Sequence, residues 1–285
     1  MAVAEKMKMP QIVIGLTIVA MGTSMPEFCV SFISALKGTS DLAVGNIVGS
    51  NIFNALLIVG VSALVAPMTI METTVRKDIP FALVASALLL IMCLDGDISR
   101  LDAGILFVMF LIFMYMTLKG AKKQGADAEE AIEGEGKKPM ATWLSVVWIL
   151  VGLLCLIGGS NLFVEGATAV ATNLGVSEAV IGLTIVAGGT SLPELATSVV
   201  SARKGNSGIA IGNALGSNVF NILAILGITG MITPMTLKGI TYIDLSMLVI
   251  SIMLVWLFSF TKYKIERWEG AVLTAVFVGY IYSLL

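Results

Sequence analysis

GLTIVAMGTSMPE at residues 15–27 and GLTIVAGGTSLPE at residues 182–194 are nearly the same thirteen letters, and each sets a proline beside a glutamate in an otherwise lipid-soluble run. Proline lacks an N–H and clashes with the carbonyl four residues back, so Pro26 and Pro193 are expected to break their helices around Gly22 and Gly189. The carbonyls of Ala20, Thr23, Ala187 and Thr190 then stand to lose their partners, which at membrane depth is unfavourable unless they line a cavity or meet a cation. Thr23, Glu27 and Ser31 fall at i, i+4 and i+8, on one helix face, as do Thr190, Glu194 and Ser198. A charge at the bilayer centre costs at least about 2.5 kcal/mol and marks a functional position by default. Glu27 and Glu194 are therefore the residues around which the rest of the sequence is read.

The surroundings are those of a membrane protein. The 285 residues are 57% hydrophobic and 13% charged, contain no histidine, and have a mean hydropathy of +0.97. A spanning helix needs about 20 mostly apolar residues. Runs of that kind lie near 12–36, 42–66, 79–94, 102–118, 143–164, 177–201, 208–233, 240–260 and 269–285, which predicts an all-α polytopic membrane protein with nine transmembrane helices. Continuous apolar runs exclude a β-barrel, whose strands alternate. No basic cluster with interleaved aromatics exists, so nucleic acid is not an expected partner; the lipid bilayer is. Cys29, Cys93 and Cys155 lie within apolar runs and lack CxxC spacing, so they read as small core residues and not as a disulfide or metal framework.

Basic residues concentrate in cytoplasmic loops. An alternating nine-helix path puts Lys6, Lys8, Arg76, Lys77, Lys119, Lys122, Lys123, Lys137, Lys138, Arg203, Lys204, Lys262, Lys264 and Arg267 on one side, and only Lys37, Arg100 and Lys238 on the other. The expected protein is a multi-pass cell-membrane protein with its N-terminus and the 120–140 stretch cytoplasmic and its C-terminus outside. That stretch is glycine-rich and acidic, the composition of a solvated linker. Its Glu129, Glu130, Glu133 and Glu135 lack a turn scaffold for strong cation binding. DGDISRLD at 95–102 lacks the glycine and terminal glutamate of a calcium loop and reads as a short turn between helices.

A shift of 167 residues aligns 14–60 with 181–227 without a gap, and 29 of the 47 positions are identical. With an odd number of crossings between them, the copies are expected to be inverted, as in secondary transporters that bind substrate at the midplane between repeats. The expected organisation is a first repeat of four helices at 1–119, a cytoplasmic linker at 120–140 and a second repeat of five helices at 141–285. Nothing in the first repeat aligns with 143–167, so an upstream apolar segment of about 25 residues, ending in a sequence like GGSNLFVEGA, is expected to complete the first repeat.

A second motif recurs as GNIVGSNIFN at 45–54 and GNALGSNVFN at 212–221. Gly45 and Gly49, like Gly212 and Gly216, have the GxxxG spacing that lets helices approach closely. Asn46, Ser50 and Asn54, with Asn213, Ser217 and Asn221, form a second polar stripe. Every proposed ligand is a hard oxygen, which favours sodium, calcium, potassium or magnesium over zinc, copper or iron. The two glutamates carry a charge of −2 when ionised, the charge of one Ca2+ or two Na+.

The paired GTSxPE and GNxxGSNxFN segments resemble those of the sodium/calcium exchangers of the calcium/cation antiporter superfamily, prokaryotic type. The resemblance implies a secondary antiporter of ten helices in two inverted five-helix units, with calcium and sodium as transported ions and no resident cofactor. It implies a calcium site at Glu27 and Glu194 with the carbonyls of Thr23 and Thr190. Flanking sodium sites follow at Ala20, Ser24 and Ser50 and at Ala187, Ser191 and Ser217, with Asn54 and Asn221 completing the centre. Several members carry an aspartate at one of the last two positions, whereas this chain has asparagine at both. Ca2+/H+ exchange and a non-transporting fragment are the alternatives. An intramembrane hydrolase would need an asymmetric acid–base pair, against which the near-identical surroundings of the two glutamates argue; no enzyme is expected.

Overall fold

The computed structural model describes residues 10–127 and 142–284. Its helices are, in chain order, α1 (Gln11–Thr23), α2 (Met25–Leu36), α3 (Ser40–Val65), α4 (Thr74–Asp95), α5 (Arg100–Asp127), α6 (Thr142–Asn173), α7 (Glu178–Thr190), α8 (Leu192–Arg203), α9 (Ser207–Ile232), α10 (Tyr242–Ser259) and α11 (Arg267–Leu284). Five of them, α3, α4, α5, α9 and α10, are long and apolar enough to cross a membrane, and the count is seven if the bent pairs α1–α2 and α7–α8 are each one span. The protein is thus an all-α polytopic membrane protein. The predicted runs near 143–164 and 269–285 fall, as far as Leu284, within α6 and α11 but lie outside those seven. Glu129, Glu130, Glu133 and Glu135 of the linker, the basic residues Lys6, Lys8, Lys137 and Lys138, and the start of the first repeat lie outside the described residues, while 120–127 of the expected linker continue α5.

Proline shapes the two bends. Both pairs turn by 46°, at Ser24 (φ −82°, ψ 10°) and Ser191 (φ −84°, ψ 6°). The breaks fall two residues beyond the expected Gly22 and Gly189. The reason is that proline is tolerated in the first turn of a helix, where its missing N–H has no intrahelical partner to lose, so the chain restarts a helix just before Pro26 and Pro193. The expectation for Ala20 and Ala187 is corrected as well: their carbonyls accept the Ser24 and Ser191 N–H groups at 3.0 and 3.1 Å. Each bend is preceded by one widened π turn, Gly15–Val19 in α1 and Gly182–Val186 in α7.

The helices form two layers. The apolar windows of α3 and α9 are 78% and 83% buried, against 33%, 17% and 39% for α4, α5 and α10, so the former make the centre and the latter its lipid-facing surround. In the centre α1 lies on α9 and α7 on α3, the first limb of each half's bent pair against the long helix of the other half, while α2 and α8 pack on α3 and α9 of their own halves. Glycine makes this possible. A Cβ on Gly49 would meet the Ala187 Cβ at 2.7 Å, and one on Gly216 the Ala20 Cβ at 2.8 Å. Around the centre, α5 packs on α9, α11 on α3, and α4 on α10.

Four two-residue strands fasten the ends: β1 (Met68–Thr69), β2 (Asp97–Ile98), β3 (Met235–Thr236) and β4 (Lys264–Ile265). β1 pairs with β4 and β2 with β3, both antiparallel, so each small sheet joins the two halves. The 95–102 stretch is the expected turn: Gly96 takes a left-handed φ of 84°, and the Ser99 N–H and hydroxyl bond to Asp102 at 2.9 and 2.6 Å. Cys93 is buried as expected, but Cys29 and Cys155 are exposed. An apolar run in a membrane helix has an outward face, so run membership alone does not imply a core position.

Gly49→Ala and Gly216→Ala should each destabilise the protein by about 1–3 kcal/mol, the usual effect of overpacking, seen as a lowered thermal midpoint in detergent. Gly104→Ala, where an added Cβ meets nothing within 4 Å, should leave the midpoint unchanged or raise it. Equal behaviour of the three variants would contradict the close approach at Gly49 and Gly216.

Candidate functional site

The bends place one carboxylate in the first turn of each restarted helix, Glu27 in α2 and Glu194 in α8, where the helix dipole favours negative charge. Both glutamates are 0% exposed. Each is served from the opposite half: the Ser191 hydroxyl donates to Glu27 Oε1 at 2.9 Å, and the Ser24 hydroxyl donates to Glu194 Oε1 at 2.8 Å. Ser217 adds a longer bond to the same Glu194 oxygen at 3.4 Å. The second oxygen, Oε2, of each glutamate is buried without a hydrogen-bond partner.

A second tier fixes the helices that carry these groups. Asn46 donates to the backbone carbonyl of Glu27 at 3.3 Å and to the Ser31 hydroxyl at 2.9 Å; Asn213 does the same to Glu194 and Ser198 at 3.2 and 3.0 Å. Their side-chain oxygens accept across the centre, Asn46 from Thr190 at 3.0 Å and Asn213 from Thr23 at 3.1 Å. Ser31 and Ser198 bond onward to the Ala43 and Ala210 carbonyls. The i+8 members of the predicted stripes therefore tie α2 to α3 and α8 to α9 and do not meet the carboxylates.

The predicted residues come together, though not half by half. Ser50 reaches the Ala187 carbonyl at 3.4 Å and lies 3.5 Å from the Thr190 hydroxyl, both in the other half. Ser24 likewise belongs with Glu194. Members of the expected sets Ala20, Ser24 and Ser50 and Ala187, Ser191 and Ser217 thus interleave: α1 packs on α9 and α7 on α3, so Ser24 and Ser50 meet partners of the other half. Asn54 and Asn221 are 0% exposed; Asn54 Oδ1 and both amide atoms of Asn221 lack partners.

Two residues escaped the sequence reading. Asn51 and Asn218 are 0% and 1% exposed, and Asn218 links Asn54 (3.1 Å) to the Asn51 carbonyl (3.3 Å). Their signal was an asparagine in an apolar helix, repeated in both GSN triplets, but at i+1 from the serine they fell off the i, i+4, i+8 stripe. Among the described residues no three His, Cys, Asp or Glu side chains converge. What the centre offers is two carboxylates with neutral hydroxyl, amide and carbonyl oxygens, a set suited to hard cations.

The chain is similar to known proteins over nearly its whole length. The sequence model of a family described as sodium/calcium exchanger protein matches residues 1–119 and 144–285. Inner membrane protein YrbG of Escherichia coli (strain K12) is 37% identical over 96% of this chain and 86% of its own length. Sodium/calcium exchanger MaX1 of Methanosarcina acetivorans is 31% identical, over 99% of this chain and 91% of its own. A solved structure of the sodium-calcium exchanger NCX_Mj, soaked with 2.5 mM Na+ and 0.1 mM Ca2+, superposes with a TM-score of 0.81 at 31% identity, covering 100% of this chain and 90% of the other.

Removing a hydroxyl that holds a carboxylate should loosen cation binding. Ser191→Ala deprives Glu27 Oε1 of a 2.9 Å bond, whereas Ser217→Ala removes a 3.4 Å bond from an oxygen that keeps Ser24. Titration of calcium into purified protein should show a roughly ten- to hundredfold loss for Ser191→Ala, the size of one hydrogen bond to a charged group, and a smaller loss for Ser217→Ala. The reverse order would contradict the observed partners.

Proposed function

As the chain belongs to the sodium/calcium exchanger protein family, we propose that it exchanges calcium for sodium by alternating access, with Glu27 and Glu194 as the charged ligands of the transported ions. The family consists of membrane cation antiporters, and the chain is a multi-pass membrane protein. The observation that carries the reading is the crossed pair of serine–glutamate bonds, which orients both carboxylates and leaves one buried oxygen of each unpartnered.

Two buried carboxylates are costly to hold charged without compensation. One calcium ion supplies that compensation, and so do two sodium ions. If both compete for the same oxygens, the neutralised site crosses the low-dielectric barrier and the empty charged one is held back, which is the requirement for exchange. In this reading calcium is held by Glu27 and Glu194 with the Thr23 and Thr190 carbonyls. Sodium is held in two lobes of mixed origin, Ser24, Ser217 and Ala20 beside Glu194 and Ser191, Ser50 and Ala187 beside Glu27. Asn54 and Asn221 face the centre as neutral ligands.

The same reading takes nine spans, an inverted repeat pair at 1–119 and 141–285 and a cytoplasmic linker at 120–140. Support for the sidedness comes from the ends of the bundle. Asp41 accepts the Lys238 and Gly239 N–H groups at 2.9 and 3.0 Å, and β2 pairs with β3, which gathers the sparse basic residues Arg100 and Lys238 at one end. β1 and β4, with Lys264, lie together. We assign the end with few lysines and arginines to the outside.

The test is uptake of labelled calcium into sodium-loaded vesicles. An imposed outward sodium gradient should drive uptake in the parent protein, and Glu27→Gln and Glu194→Gln should each reduce it by at least a hundredfold without changing the elution volume of the purified protein. Uptake driven by a proton gradient and indifferent to sodium would replace this reading with Ca2+/H+ exchange. Near-normal flux in either variant would remove that glutamate from the site.

A further inference from the structure

Four of the six buried asparagines at the centre, Asn51, Asn54, Asn218 and Asn221, depart from the symmetry of the repeat. Under the 167-residue shift Asn51 corresponds to Asn218 and Asn54 to Asn221, so two equivalent amide bonds are to be expected. One is made: Asn54 Nδ2 donates to Asn218 Oδ1 at 3.1 Å. Its counterpart, from Asn221 Nδ2 to Asn51 Oδ1, is not made, and both of those atoms are buried without any partner. Donor and acceptor are thus orphaned as a matched pair.

The two acceptor residues differ in what their own amides do. Asn218 Nδ2 reaches across to the Asn51 carbonyl at 3.3 Å, whereas Asn51 Nδ2 turns back within α3 to the Ile47 carbonyl at 2.8 Å. Both α3 and α9 widen into a π turn directly after this point, at Phe53–Ile58 and Phe220–Ile225, so Asn54 and Asn221 each sit on a stretch of relaxed helical hydrogen bonding. A buried polar pair left unmade is unfavourable, and it persists where a second arrangement of the same parts satisfies it instead.

We propose that Asn51 and Asn218 are positioning residues forming two alternating latches: Asn218 holds the Asn54 amide in one facing state of the exchanger, and Asn51 holds the Asn221 amide in the other. The inference rests on the exchange reading above and deepens it. With its N–H2 group engaged, the latched asparagine has its side-chain oxygen directed away from the latch and available to a cation; the unlatched one has no fixed orientation. Because the halves are repeats, a change of facing that exchanges their conformations exchanges the latched partner too. Each latch therefore sets cation affinity on one side of the membrane.

The experiment measures the apparent KM for calcium from each face, in right-side-out and inside-out vesicles, for Asn51→Ala, Asn218→Ala and the double variant. Each single variant should raise KM about three- to tenfold at one face, as expected for one lost hydrogen bond, and less than about twofold at the other, with opposite faces affected. The double variant should raise both and restore the parent's ratio between faces. Equal shifts at both faces in each single variant, or no shift in either, would overturn the latches while parent exchange leaves the functional reading intact. Should the alanine variants fail to fold, Asn51→Ser and Asn218→Ser are measured in their place. If the parent itself shows no exchange, side-chain amide NMR of protein labelled with 15N-asparagine decides separately. The variant at position 218 should then move the Asn54 signal and spare that of Asn221; movement of both or neither would overturn the latches.

Discussion

The rest of the structure depends on the burial of two carboxylates. Glu27 and Glu194 are fully enclosed in a protein whose outer surface faces lipid, and a charge in such a place survives only with opposite charge or good hydrogen bonds around it. Each unusual feature of the chain answers that constraint. The prolines end one helix and start another, so a fresh N-terminus with its partial positive charge lies beside each glutamate. The serine at each bend is released from regular helix and donates to the opposite carboxylate. The glycines of the second motif let the bent helices come close enough for the serine to reach.

The bends, the close helix approach at the GxxxG glycines and the enclosure of the glutamates were legible in the sequence because they rest on strong, local rules. Proline cannot sit inside a regular helix, glycine at four-residue spacing invites close packing, and an acid in an apolar run is conspicuous. The crossed pairing was not legible. Ser24 is closer in sequence to Glu27 than to Glu194, and only the packing of α1 on α9 and α7 on α3 assigns it to the latter. The same holds for Ser50 with Ala187. Asn51 and Asn218 escaped because a stripe drawn at i, i+4 and i+8 assumes one useful face, whereas helices 78% and 83% buried have useful residues all round.

The surround has its own logic. α5 lies on α9 and α11 on α3, and the strand pairs β1–β4 and β2–β3 each join one half to the other. No half can shift without pulling on the other at both ends. Of the outer helices, α4, α5 and α10 are less buried than α3 and α9 and frame the centre. Between frame and site, Asn46 and Asn213 bond to the backbone of the very glutamate whose side chain must remain free for other partners. Orientation is thereby fixed through the backbone, and the carboxylate oxygens remain available.

Crossing also bears on coupling. If each carboxylate were held by a serine of its own repeat, the two halves would be independent binding sites, and occupation of one would leave the other's geometry untouched. Here Ser24 and Glu27, three residues apart on one bend, serve different carboxylates. A displacement of that bend alters the donor of Glu194 and the position of Glu27 together. An ion that draws one carboxylate toward itself therefore acts on both halves, through packed side chains and without any long-range relay. In the exchange reading this is the physical reason a site of two like charges can respond to its cargo as one unit: the shortest hydrogen bond to each carboxylate comes from the half that carries the other.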